Sequence, residues 1–284
     1  MERIGEEELG RYVKAALAED VGPGDVTTGA VVPSGATATA VMVAREPLVV
    51  AGLMLAEAAF KALDGRARVK RLAKDGQTVR AGAVLLEVNG RAAALLTAER
   101  TALNFVQRLS GIATLTAKYV AAVRGTKAQI LDTRKTTPGL RRLEKYAVAC
   151  GGGRNHRFGL YDMVLIKDNH LALLGRNSAN PIAEAVQMAR KRYPRLKVEL
   201  EAETIEQVRQ AVEAGADIIL LDNMPLRTLR QAVKLVGGRA KTEASGGITL
   251  ETVRAVAKTG VDYISVGALT HSARAMDIAL DFAG

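Results

Sequence analysis

The chain has very little cysteine, histidine or aromatic residue. Its 284 residues include one cysteine, three histidines and no tryptophan, and aromatic residues make up 4%. The lone Cys150 excludes a disulfide within the chain and a zinc site built of cysteines. His156, His170 and His271 are too dispersed to match a zinc-binding histidine motif. If a metal takes part in the chemistry, carboxylates and the substrate must hold it.

Long apolar runs are also missing. No stretch approaches the ~20 apolar residues that a membrane-spanning helix needs. The opening sequence MERIGEEE is too acidic for a signal or transit peptide. A content of 48% hydrophobic and 25% charged residues is typical of a globular domain. We therefore expect a cytoplasmic protein without a membrane partner.

The formal charge of +10 is compatible with nucleic-acid binding. The basic residues, however, are spread along the chain, and few aromatic side chains are available to stack on bases. The composition fits a protein that binds small, multiply anionic molecules at least as well, and we expect no nucleic-acid partner.

Residues 1–110 are expected to form a small N-terminal α+β sandwich domain. Helical spacing runs from Glu6 to Ala18, and alternating segments near 37–44, 69–72 and 84–88 predict strands. A C-terminal helix over 272–284 can return to this domain. A long amphipathic helix over 93–124, which Gly111 can break, links the two halves.

Residues 111–271 repeat a unit of one apolar strand followed by a helix. Buried, β-branched strands of this kind predict a parallel sheet with helices outside, and six clear units favour an incomplete α/β barrel. The predicted strands are 128–131, 163–166, 196–200, 217–221, 240–242 and 262–266. In a barrel the chemistry lies at the carboxyl ends of the strands, so the residues just after each strand are the candidate site.

Basic residues dominate this predicted rim. Arginine binds carboxylate or phosphate in a bidentate manner, and lysine supplies a mobile charge. Each one alone could be a solvated surface charge, but together they indicate an anion site. The basic set comprises Arg134, Lys135, Arg154, His156, Arg157 and Lys167.

Acidic and glycine-rich segments complete the rim. Glu201 and Asp222 follow successive strands, where carboxylates can hold sugar hydroxyls, Mg²⁺ or a developing cation, or can neutralise neighbouring basic residues. The segment 245–247, Ser-Gly-Gly, precedes a helix predicted from Leu250, which suits a phosphate, although a structural turn is the alternative.

Several long segments closely resemble the quinolinate phosphoribosyltransferase family. They are ERTALNFVQRLSGIAT (99–114), LDTRKTTPGLRRLEKYAV (131–148), GGGRNHRFGLYDMVLIKDNH (151–170), ILLDNM (219–224), EASGGI (243–248) and YISVGALTHS (263–272), with EDVGPGDVTT (19–28) near the N-terminus. The resemblance implies transfer of phosphoribosyl from phosphoribosyl pyrophosphate (PRPP) to quinolinate with loss of CO₂, Mg²⁺ as cofactor, and a homodimer with shared sites.

The resemblance also assigns residues. Lys135, Lys167, Glu201 and Asp222 would be catalytic, with Glu201 and Asp222 also near the metal. Arg100 would reach the site of the neighbouring subunit. The remaining substrate-binding set would be Thr133, Arg134, His156 and Arg157 around quinolinate and pyrophosphate, and Ser245, Gly246, Gly247, Val266, Gly267 and Ala268 around the 5-phosphate.

The run GGGRNHR (151–157) lacks the Gly-Lys-Ser/Thr ending of a P-loop. Its glycines are therefore interpreted as a tight backbone path that aims His156 and Arg157 inward, toward a pyridine carboxylate. Three alternatives stay open: a Schiff-base enzyme that uses Lys167, a molybdate-associated relative of the same fold, and a basic nucleic-acid binder.

Overall fold

Two sheets of opposite character organise the chain. The computed structural model describes residues 4–175, 178 and 180–282. The helices are α1 (Glu6–Val21), α2 (Val26–Val31), α3 (Leu53–Leu63), α4 (Ala92–Ala122), α5 (Arg141–Cys150), α6 (Asp168–Leu174), α7 (Pro181–Arg192), α8 (Ile205–Glu213), α9 (Leu226–Val236), α10 (Val253–Ala257) and α11 (Ala268–His271). The strands are β1 (Thr37–Ala44), β2 (Leu48–Val49), β3 (Arg68–Arg71), β4 (Thr78–Val79), β5 (Val84–Arg91), β6 (Gln129–Leu131), β7 (Val164–Ile166), β8 (Val198–Ala202), β9 (Ile218–Asp222), β10 (Lys241–Ser245), β11 (Tyr263–Ser265) and β12 (Ile278–Phe282).

The chain divides into two units. The first comprises Met1–Ala117, Arg142–Gly152 and Ser272–Gly284, and the second comprises Lys118–Arg141 and Gly153–His271. The first unit therefore takes up three separate stretches of sequence, and one boundary falls inside α4. No helix in the described part of the chain is long and apolar enough to cross a membrane.

The first unit contains an antiparallel sheet in the order β12-β1-β5-β3. Helix α3 contacts β5 and α1, and it buries Leu53, Leu55 and Phe60 among other apolar side chains. Burying a large apolar side chain contributes roughly 1.5–3 kcal/mol, so this helix anchors the small core.

Two expectations for this unit are wrong. Residues 272–282 do not form a helix: Ile278–Phe282 is strand β12, antiparallel to β1 with Ala44 opposite Ile278, and residues 283 and 284 of the prediction lie outside the described residues. Helix α4 also continues through Gly111. A Cβ at Gly111 would lie 1.9 Å from the Arg274 carbonyl oxygen, so glycine permits close backbone packing there and does not break the helix.

The second unit contains a six-stranded parallel sheet in the order β6-β11-β10-β9-β8-β7. From β7 to β11, strands that are consecutive in the chain are neighbours in the sheet, and the last strand, β11, pairs with the first, β6. The sheet therefore curves into a barrel that lacks regular pairing between β6 and β7, which confirms the incomplete α/β barrel. A helix follows most of these strands. Helix α8, for example, begins at a capping box formed by Thr204 and Gln207.

The loop before β7 lies beside the first barrel strand. Arg154 forms a parallel bridge with Leu131 of β6. The Arg154 N–H donates to the Ile130 carbonyl at 2.9 Å, and its carbonyl accepts from the Asp132 N–H at 3.1 Å. The segment that carries His156 and Arg157 is thus held to the sheet by strand-like hydrogen bonds.

Candidate active site

A cavity of about 650 Å³ lies in the second unit at the carboxyl ends of the parallel strands. This is the end of an α/β barrel at which the loops converge and active sites form. It brings together every site residue that the family resemblance assigns except Arg100. These residues are Thr133, Arg134, Lys135, His156, Arg157, Lys167, Glu201, Asp222, Ser245, Gly246, Gly247, Val266, Gly267 and Ala268.

Four cationic side chains share the cavity wall: Arg134, Lys135, Arg157 and Lys167. Burial lowers the pKa of Arg157, and the positive charge of Arg134 lowers it further, yet a guanidinium stays charged. The buried Nε of Arg134 has no hydrogen-bond partner among the residues that the structure describes. An unpaired buried donor is costly, so an anion bound here would satisfy it.

Local hydrogen bonds fix the loop after β6. The Lys135 N–H donates to Thr133 Oγ1 at 3.0 Å, and the Thr270 hydroxyl donates to the Lys135 carbonyl at 2.7 Å. Thr270 is fully buried on α11. The backbone of Lys135 is therefore tied to the end of the barrel at which β11 leaves the sheet.

Glu201 and Asp222 are the acidic side of the cavity. They belong to the adjacent strands β8 and β9, and both line it. Burial raises the pKa of the Glu201 carboxyl, the Lys167 charge lowers it, and the Asp222 charge raises it again. The two carboxylates are thus close enough to repel each other, which is the environment that a cation relieves.

Gly246 and Asn223 pack tightly at the ends of β10 and β9. Asn223 has a φ of 53°, the only positive φ outside glycine in the described residues, and its Nδ2 donates to Asp222 Oδ2 at 2.7 Å. A Cβ at Gly246 would lie 2.0 Å from Asn223 Oδ1. The glycine therefore makes room for the amide that orients the Asp222 carboxylate.

A buried cluster of His156, Glu199 and Glu243 lies at the inner end of the cavity. His156 Nε2 is 3.0 Å from Glu199 Oε2 and 3.6 Å from Glu243 Oε1. Burial raises the pKa of Glu199 to about 7, and burial together with the Glu199 charge raises the pKa of Glu243 to about 8. The two carboxyls are coupled, and the pair retains a proton near neutral pH.

Two family models cover most of the chain. The model described as quinolinate phosphoribosyl transferase, C-terminal domain, matches residues 112–281, and the model of the N-terminal domain matches residues 25–110. The chain belongs to the quinolinate phosphoribosyltransferase family.

Relatives within the family match the chain nearly end to end. A probable nicotinate-nucleotide pyrophosphorylase [carboxylating] from Bacillus subtilis is 46% identical over 96% of this chain and 93% of its own length. The corresponding Mycobacterium leprae protein is 48% identical over 95% of each chain. The solved structure of the nicotinate-nucleotide pyrophosphorylase from Francisella tularensis superposes with a TM-score of 0.93 at 40% identity and covers 99% of this chain and 98% of that one.

Three predicted features of the family site need correction or stay untested. Arg154 does not line the cavity; it is exposed, and its backbone bonds to β6. The helix expected from Leu250 begins only at Val253, so its N-terminus does not adjoin the glycines. Arg100 lies exposed on α4 in the first unit, and its role in a neighbouring subunit stays a prediction.

Several residues that line the cavity were not predicted, among them Glu243, Asn223 and His271. Glu243 is inside β10 and 1% exposed, whereas the sequence placed it after a shorter strand. Asn223 directly follows Asp222, and a turn-forming asparagine at a strand end is a usable signal. His271 gave no sequence signal. His170 caps α6, because its Nδ1 accepts from the Lys167 N–H at 2.9 Å.

Proposed function

We propose that this chain transfers the phosphoribosyl group of PRPP to quinolinate with decarboxylation, and so forms nicotinate mononucleotide, pyrophosphate and CO₂ in NAD biosynthesis. The observation that carries the proposal is the cavity of the second unit, in which four cations face two carboxylates. Membership of the family supports the same reaction.

The charge of the cavity suits this pair of substrates. Quinolinate carries two adjacent carboxylates and PRPP carries three phosphoryl groups, so the site must hold about six negative charges. Arg134 and Arg157 can each bind a carboxylate or phosphate through two parallel hydrogen bonds, and Lys135 and Lys167 add mobile charges. We assign these four side chains, with Thr133, to quinolinate and pyrophosphate.

The carboxylates suit the ribose. Departure of pyrophosphate leaves positive charge on the ribose ring, and Glu201 or Asp222 in the half-buried cavity can stabilise that charge electrostatically. We assign the 5-phosphate to the opposite side of the cavity, beside Ser245, Gly246 and Gly247 of one loop and Val266, Gly267 and Ala268 of the next. After transfer, loss of the 2-carboxylate as CO₂ leaves its bonding pair on C2, where the adjacent positive ring nitrogen stabilises it until a proton from solvent is taken up, so decarboxylation needs little beyond positioning.

Glu201 and Asp222 also fit Mg²⁺. Mg²⁺ is usually held by one or two carboxylates together with substrate phosphates, and the mutual repulsion of these two carboxylates favours a cation between them. When bound, Mg²⁺ would neutralise charge on the pyrophosphate leaving group.

We further propose a homodimer, in which Arg100 of one subunit contributes to the site of its neighbour. The family resemblance around the Glu-Arg-Thr segment is the support for this arrangement. Arg100 is exposed on α4, so a neighbouring subunit can reach it.

The direct experiment supplies quinolinate labelled at its 2-carboxylate, PRPP and Mg²⁺ to the folded protein. We expect labelled CO₂ and nicotinate mononucleotide in equal amounts. A folded sample that releases neither product refutes the proposal and favours the molybdate-associated alternative. Borohydride trapping of a carbonyl compound on Lys167 would instead indicate Schiff-base chemistry, and we expect no adduct.

A further inference from the structure

Protein groups surround His156, and two of its contacts are hydrogen bonds. Its N–H donates to Asp132 Oδ1 at 2.8 Å, and its Nδ1 accepts from the Arg157 N–H at 2.8 Å. Its Nε2 lies 3.0 Å from Glu199 Oε2 and 3.6 Å from Glu243 Oε1. The side chain is 8% exposed, against 0% and 1% for the two glutamates.

These contacts determine where the ring proton lies. A nitrogen that accepts a hydrogen bond from a backbone N–H carries no proton of its own, so Nδ1 of His156 is bare. The single proton of a neutral imidazole is then on Nε2, which lies 3.0 Å from Glu199 Oε2. A doubly protonated ring would place the Nδ1 proton against the Arg157 N–H, a repulsive contact at 2.8 Å.

This tautomer excludes two roles for His156. A metal ligand needs a free lone pair on nitrogen, and Nε2 has none while it carries the proton, although His156, Glu199 and Glu243 offer three ligand atoms within 4.8 Å of one another. A cationic contact to substrate needs an N–H directed into the cavity, and both ring nitrogens face protein groups.

We propose that His156 is a positioning residue, whose neutral ring connects the backbone of Arg157 to Glu199 of β8 and Glu243 of β10. Of His156 and Arg157, only Arg157 makes a charged contact to quinolinate. The consequence for substrate binding rests on the function proposed above. The tautomer itself does not.

The backbone around Arg157 needs such support. Residues 155–157 lie outside regular helix or strand. The Arg157 guanidinium donates through Nη1 to the Met163 carbonyl at 3.3 Å, which is a long contact for holding a side chain in place. The hydrogen bond to His156 Nδ1 fixes the main chain of Arg157, and the close contact of Nε2 with Glu199 places the ring against the barrel interior.

The tautomer can be read by ¹⁵N NMR of the histidine rings. The protein has only three histidines, so His156→Asn identifies the His156 signals by their loss. We expect a protonated Nε2 and a bare Nδ1 at neutral pH, with or without quinolinate. Protonation of both nitrogens, or of Nδ1 alone, overturns the proposal. A His156 Nε2 signal that moves on addition of Zn²⁺ or Mn²⁺ would restore the metal site.

Kinetics test the positioning role separately. Asparagine places an oxygen where Nδ1 lies and keeps an acceptor for the Arg157 N–H, whereas leucine keeps none. The loss of one such bond, on the order of 1 kcal/mol, corresponds to about a fivefold to tenfold rise in KM for quinolinate. We expect that rise in His156→Leu with a smaller change in kcat, and partial recovery in His156→Asn. Equal KM values for the two variants overturn the proposal.

Glu199→Gln provides the matched control for charge. Glutamine keeps an oxygen within reach of Nε2, so we expect the neutral Nε2–H tautomer to persist and KM to stay well below that of Glu199→Ala. If Glu199 instead balanced a histidine cation, Glu199→Gln would change the ring signals as strongly as Glu199→Ala, and the proposal would fail. Wild-type protein without any turnover would contradict the proposed function, while the NMR result would still decide the tautomer.

Discussion

Replacing Gly246 with alanine should damage the protein more than the same change at Gly247. A Cβ at Gly246 would lie 2.0 Å from Asn223 Oδ1 and 2.5 Å from its Cγ. At Gly247 nothing lies within 4 Å of the added atom. Both glycines have positive φ, 99° and 57°, so backbone strain is common to the two variants and the collision is not.

The magnitude follows from these two contributions. Alanine at the left-handed helical φ of Gly247 costs roughly 1–2 kcal/mol, and at Gly246, whose φ of 99° lies outside that region, the cost is at least as large. At Gly246 the Asn223 side chain must also move, which breaks its 2.7 Å hydrogen bond to the Asp222 carboxylate. Because Asn223 is exposed, we take about 1 kcal/mol for this bond. Gly246→Ala should therefore be about 1–2 kcal/mol less stable than Gly247→Ala once residual crowding is included.

Thermal unfolding and steady-state kinetics measure the effect. A difference of this size lowers the unfolding midpoint by roughly 2–4 °C per kcal/mol for a domain of this size. With Asp222 no longer oriented, kcat/KM for PRPP should fall about tenfold in Gly246→Ala. Asn223→Gly removes the colliding side chain, so the double variant should recover part of the midpoint. Equal midpoints for the two alanine variants, or strictly additive losses in the double variant, would refute the steric explanation.

Three other outcomes are expected. Arg134→Ala should remove catalysis without unfolding the protein. Arg154→Ala is the control, because it changes an exposed arginine outside the cavity and should keep activity. Undiminished activity of Arg134→Ala would show that Arg134 does not belong to the site. Mixed subunits of inactive Arg100→Ala and inactive Lys167→Ala should regain partial activity if Arg100 acts across a dimer, and no rescue argues against sharing. The pKa of Glu243 in the folded protein is raised to about 8, so its contribution to stability is fully present below the ordinary glutamate pKa and is lost as pH rises toward 8. The unfolding midpoint of Glu243→Gln, relative to that of wild type, should therefore rise over that pH range. A difference between the two midpoints that does not change with pH contradicts this sign.

The location of the site followed from the sequence because strand ends of a parallel barrel converge. Lys167 and Asp222 needed only the recognition of an apolar strand before each of them. The buried carboxyl pair did not follow, although a signal was present. Glu199 and Glu201 alternate with apolar residues in β8, as Glu243 and Ser245 do in β10, and alternation directs both members of each pair to the same face.

The C-terminal strand shows why other parts could not be predicted. Ile278–Phe282 pairs with β1, which lies more than two hundred residues earlier in the chain. The local sequence of a short segment does not reveal a partner so distant, and pairing with β1 determines its conformation. The start of α10 at Val253 similarly depends on the turn in which the Thr252 N–H donates to the Thr249 carbonyl. The periodicity of the sequence does not predict such a turn.

The bridge between Arg154 and Leu131 has a consequence for the thermodynamics of ligand binding. A loop that must become ordered around its ligand loses conformational entropy at that moment and binds more weakly for it. The loop before β7 is instead already hydrogen-bonded to the sheet, two residues before His156. An anion entering the cavity therefore meets a preorganised backbone, and its affinity is not reduced by ordering the chain that receives it.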